Sequence, residues 1–110
     1  MTLWMTLWLL ICGHALADFA LQSEAMAIGK NRNSTKFRVL PWGYWLTSHA
    51  LIHGLAVTLV LGPIFGVAEF VAHWLIDFGK CESWYGIHYD QMLHLGCKCL
   101  WFVLWLGVTK

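Results

Sequence analysis

Glu69-Phe70-Val71-Ala72-His73-Trp74-Leu75-Ile76-Asp77 decides how this chain is read. Three ionisable side chains recur at every fourth position within an otherwise apolar run, so they share one face of a helix. The same one-turn spacing returns in His14/Asp18, His49/His53 and Asp90/His94. With His73/Asp77 these make four pairs, one on each of four candidate helices.

The background is hydrophobic enough for a membrane. Of 110 residues, 59% are hydrophobic and 12% charged, and mean hydropathy is +0.61. Soluble domains carry about 25% charged residues. A net charge of +1 gives no reason to expect nucleic acid. Cys12, Cys81, Cys97 and Cys99 form no CxxC and no zinc-ribbon spacing, and they read as apolar filler rather than a disulfide framework.

The length suits a single all-α domain over 1–110, an integral membrane four-helix bundle with helices over 3–29, 42–61, 63–80 and 87–107. Pro41 precedes the second helix, Gly62-Pro63 turns the chain into the third, and 81–86 form a loop. Ala15-Leu16-Ala17 resembles a signal-peptidase site. No basic residue precedes Lys30, however, and a cut would discard His14, so the segment is retained as helix one.

The basic loop 30–38 (Lys30, Arg32, Lys36, Arg38) favours the cytoplasmic side of a bacterial inner membrane, with both termini outside. Trp4, Trp8, Trp101 and Trp105 then fall at the outer interface, and Trp42, Trp45 and Trp84 at the inner one. All eight paired residues land in the inner half, at depths of roughly 5–24 Å from the inner loops. Tilt or a break in helix one is needed to bring His14 to the level of the others.

Ionisable groups inside lipid are costly and usually face a bundle interior. Imidazole and carboxylate together suit zinc foremost, or manganese, iron or nickel. Eight candidate ligands (His14, Asp18, His49, His53, His73, Asp77, Asp90, His94) exceed what one tetrahedral ion needs, so two ions are the sharper expectation. Two metals can clamp the attacking and leaving oxygens of a displacement. Glu69 is the candidate base or a support for a ligand imidazole, and Lys80 would meet an anionic headgroup. Gln22 extends the Asp18 stripe, and Gln91 adjoins Asp90.

Blander readings attach to several of these. His88 reads as packing beside a loop, Asp90 as a helix cap, Asp77 with Lys80 as an interfacial ion pair, and Glu24 and Glu82 as solvated.

On these residues the chain resembles the bacterial and phage inner-membrane family called domain of unknown function 3307. The stretches are His14–Gln22, His49–Gly54, His73–Lys80 and Asp90–His94, in the family's order. That family is in turn similar to small membrane-bound metal-dependent hydrolases. The resemblance implies the fold and a metal site more than a reaction.

Three functions are open at this point. The first is a metal-dependent hydrolase acting on a lipid or phosphoester at the inner leaflet. The second is a proton or divalent-cation transporter or channel using the same polar layer. The third is a structural or partner-binding phage or host membrane factor. Gly54, Gly62, Gly66, Ala68 and Ala72 permit close helix contact within one chain or in a homo-oligomer.

Overall fold

A computed structural model describes residues 2–36 and 39–109. Arg38, one of the four basic loop residues, lies outside them. Among the described residues the fold is all-α, with α1 Leu3–Ala15, a π-helical turn Leu16–Ala20, α2 Glu24–Gly29, α3 Trp42–Leu61, α4 Pro63–Cys81 and α5 Ile87–Thr109.

The first helix is not the continuous rod expected over 3–29. It loosens into the π-helical turn that holds Asp18, leaves the helical path at Leu21, and restarts at α2. Ser23 explains the restart, because its hydroxyl accepts from the Met26 amide at 3.1 Å. Wide turns of this kind re-aim a side chain without ending the element, and they are frequent at functional sites. The six-residue α2 then carries Lys30 back toward the protein interior, where it is 4% exposed. Lys30 therefore does not belong to a solvated basic loop.

The α3–α4 connection follows from Gly62, whose φ of 103° is open to glycine at little steric cost, and from Pro63 at the first helical position. The two helices then pack closely. A Cβ at Gly66 would stand 2.7 Å from the Gly54 carbonyl oxygen and would also collide with Thr58. Small residues at such a crossing let two backbones approach. Packing places α1 against α3 and α5, and α4 between α3 and α5.

The interior is inverted relative to a soluble protein. Its buried apolar residues are few, and Leu10, Val57 and Leu61 gather with Trp101, Phe102 and Trp105 in one cluster. Buried polar and charged residues are more numerous, while Trp4, Trp8, Phe19, Leu59, Ile64, Val67, Met92 and Val103 point outward. Among the described residues three helices, Leu3–Ala20, Trp42–Leu61 and Ile87–Thr109, are long and apolar enough to cross a membrane. A 20-residue helix spans about 30 Å, the thickness of the hydrocarbon layer. The fourth long helix, α4, carries Glu69, His73, Asp77 and Lys80.

Candidate metal centre

Each side chain of the polar core comes from a helix face that packing turns inward. From the first helix come His14, on the last turn of α1, and Asp18, in the π-helical turn. His49 and His53 are successive turns of α3. Glu69, His73 and Asp77 do the same on α4, and Asp90 and His94 on α5. All are buried, with Asp18 the most exposed at 7%.

Two groups of potential ligand atoms result, each with its atoms within 4.8 Å of one another: Asp18, His49, His53 and His73, and beside them Asp77, Asp90 and His94. In the first group, Asp18 Oδ1 stands 3.2 Å from His49 Nε2 and 3.3 Å from His53 Nε2. The His53 and His73 rings stack with centroids 3.6 Å apart, and the His94 ring continues the stack at 4.1 Å from His73. In the second group, His94 Nε2 is 3.2 Å from Asp90 Oδ1. The groups adjoin, since His49 Nε2 is also 3.7 Å from Asp77 Oδ2.

His14 stands at the edge of both. Its Nε2 lies 3.8 Å from Asp18 Oδ2 and donates to Gln91 Oε1 at 2.9 Å. Gln91 in turn donates to Asp18 Oδ2 at 2.7 Å and to Asp90 Oδ2 at 3.2 Å, so one amide orients two carboxylates.

Several buried nitrogens in this cluster lack a hydrogen-bond partner: both ring nitrogens of His53 and His73, and Nδ1 of His14, His49 and His94. Buried polar groups are paired in the great majority of cases, so this concentration requires an explanation. His53 Nε2 faces Asp18 Oδ1 at 3.3 Å without a hydrogen bond, and imidazole nitrogens gathered beside a carboxylate are the donor set a transition-metal ion takes. The residues fit such an ion.

Buried charge continues on either side. Lys30 Nζ forms an ion pair with Asp77 Oδ2 at 2.6 Å and donates to Gln22 Oε1. Asp77 therefore pairs with Lys30 and not with Lys80, which is half-buried at the end of α4 and belongs to neither ligand group. One turn from His73 on the other side, Glu69 is engaged through both oxygens, by the Lys98 ammonium and by Trp101 Nε1 at 2.9 Å. His73 Nδ1 is 3.7 Å from Glu69 Oε1.

Lys98 was legible as the next member of the Asp90, His94 stripe, yet it sits in a segment whose apolar character draws the eye away from it. Lys30 carried no comparable signal, because its burial depends on the break in the first helix. His88 is exposed, as is Glu24, while Glu82 lies at the protein surface within reach of Arg32 and Asn33.

The chain matches the family described as a protein of unknown function (DUF3307) over residues 6–107. It belongs to this family. The matched span includes every residue of both ligand groups, together with Lys30, Glu69, Gln91 and Lys98. No curated protein and no solved structure matches the chain.

Proposed function

We propose that this member of the DUF3307 family is a polytopic membrane protein, a four-helix bundle with its termini outside, that binds a divalent transition metal through Asp18, His49, His53 and His73. The observation that carries the reading is the convergence of His49, His53 and His73 on the Asp18 carboxylate, with both ring nitrogens of His53 and His73 lacking hydrogen-bond partners, within a core sheathed by apolar side chains. Burying polar atoms without partners is costly, and coordination through one nitrogen of each ring would reduce that cost.

A bound ion of this kind supplies a water acidified toward neutral pH and an electrophile for an ester or phosphoester oxygen. The chain's own residues would do the rest. Gln91 orients Asp18, and Glu69, itself held by Lys98, lies 3.7 Å from His73 Nδ1, near enough to take up that ring's proton with a small shift. Lys80 and Lys36 would meet an anionic headgroup at the inner leaflet. The reaction that fits this arrangement is hydrolysis of a lipid or phosphoester bond, with zinc as the foremost candidate metal.

Metal content of detergent-purified protein, by elemental mass spectrometry, tests the reading. Zinc, manganese, iron or nickel near one equivalent per chain is expected, and its loss in a His49→Ala, His53→Ala variant. A wild-type protein that holds no metal after purification without chelators would remove it.

One observation favours a second reading, passage of protons or cations. Buried ionisable groups run from Lys30 and Asp77 through the histidines to Glu69 and Lys98, and such chains of groups mark ion paths in membranes. Gradient-driven uptake into proteoliposomes separates the two, because a hydrolase shows none.

A further inference from the structure

Lys30 is a buried ammonium with a specific address. It reaches the core only because the first helix breaks at Leu21–Ser23 and α2 turns the chain inward. Gly29 makes the approach possible, since a Cβ there would collide with the Trp45 ring. Nζ lands 2.6 Å from Asp77 Oδ2, and both side chains are almost fully enclosed. Asp77 is also one of the three residues of the second ligand group, with Asp90 and His94.

The charges decide what that contact means. Across the two groups Asp18, Asp77 and Asp90 contribute three negative charges, and imidazoles bind metal in the neutral form. Lys30 offsets one of the three. Two remain, which a single divalent ion balances. The neighbouring Glu69–Lys98 pair adds nothing to the sum. A buried site far from neutrality is costly, so with Lys30 in place a second divalent ion, which would leave two positive charges, is opposed by charge. Without Lys30 one ion leaves one negative charge and two ions leave one positive charge, so that opposition falls away and the ligand atoms freed at Asp77 favour the second ion.

We infer that the Lys30 ammonium stands in for a second divalent cation, keeping the Asp77/Asp90/His94 group free of metal while one ion occupies the Asp18 group, and that removal of this charge opens the Asp77/Asp90/His94 group to a second ion. The inference rests on the metal-binding reading above and specifies how many ions that centre takes. A second observation points to the same group as a latent ligand site. His94 Nδ1 is buried without a hydrogen-bond partner, and Asp90 Oδ1 makes no hydrogen bond, with His94 Nε2 3.2 Å away. The amide of Gln91 already orients Asp90 from the side facing Asp18.

The experiment loads full-length protein in detergent with excess Zn(II), or separately Mn(II), removes free ion by gel filtration, and counts metal per chain. Wild type and Lys30→Arg are expected to hold one ion, Lys30→Gln two, and Lys30→Gln with Asp77→Asn one again. Two ions in wild type, or one in a folded Lys30→Gln protein, overturns the inference. Should Lys30→Gln fail to fold, Asp77→Asn carries the test. It must keep its single ion, and loss of that ion would make Asp77 a ligand of the first site and sink the assignment. No metal in any variant, wild type included, is instead the failure of the metal-binding reading itself.

Discussion

Lys98 of α5 and Glu69 of α4 form a buried ion pair one turn from the histidine stack, and neither side chain is more than 2% exposed. Trp101, one turn beyond Lys98, donates to the other carboxylate oxygen and completes the partnering of Glu69. A buried pair of this kind contributes little net stability as a unit, yet breaking it strands a charge. Lys98→Met is therefore expected to destabilise the fold by about 3–5 kcal/mol. Lys98→Met with Glu69→Gln should recover most of that loss. Thermal or denaturant unfolding in detergent, run as a double-mutant cycle, measures both, and purely additive losses would contradict the pairing.

Gln91 touches Asp18, Asp90 and His14 with one amide. Gln91→Ala leaves every proposed ligand in place but frees the Asp18 carboxylate to turn. Loss of such an orienting contact typically costs about 10–100-fold in metal affinity. Competition against a chromophoric chelator would read the change, while an unaltered affinity would show that Asp18 is held by other means.

At the α3–α4 crossing, Gly66→Ala pushes a methyl into Thr58 and the Gly54 carbonyl. Backbone cannot yield as a flexible side chain does, and overpacking of this order costs about 1–3 kcal/mol. Gly43→Ala, where an added Cβ meets nothing within 4 Å, serves as the control on α3. Comparable losses in the two variants would argue against a close crossing.

Glu82, at the surface beyond α4, accepts hydrogen bonds from Asn33 and Arg32. Asn33 first, and then Arg32, hold its carboxyl below the usual range. A depressed folded-state pKa means the contribution is present above the unfolded value and is lost as pH falls through the folded one. Acidification below about pH 4 should therefore loosen the 30–36 segment from the end of α4. Glu82→Gln should abolish that pH dependence, as followed by limited proteolysis or hydrogen exchange across pH 3–6.

Much of this architecture could be read from spacing alone. His49/His53 and Asp90/His94 declare a helix face because fourth-neighbour periodicity is local information. Gly62-Pro63 declares a turn for the same reason. The break in the first helix was also written locally, in Ser23 as a cap, but the apolar run on either side outweighed it. Lys30 was not readable in that way. Its burial depends on where a six-residue helix points after the break, a property of packing and not of the surrounding residues. That the two ligand groups adjoin through His49 and Asp77 is likewise a fact of helix packing, to which periodicity is blind.

The inverted interior shapes how the chain can be assembled. The long helices bury Asp18, Glu69, Asp77, Asp90 and Lys98 on the faces that meet one another, so each of these charges is left without its surroundings until the neighbouring helices are present. Asp18 emerges from the ribosome before the histidines of α3, and Glu69 before Lys98. Each early helix thus carries polar groups whose partners are made later. A chain ending before Lys98 would therefore leave the Glu69 carboxylate without the ammonium that pairs with it in the folded protein.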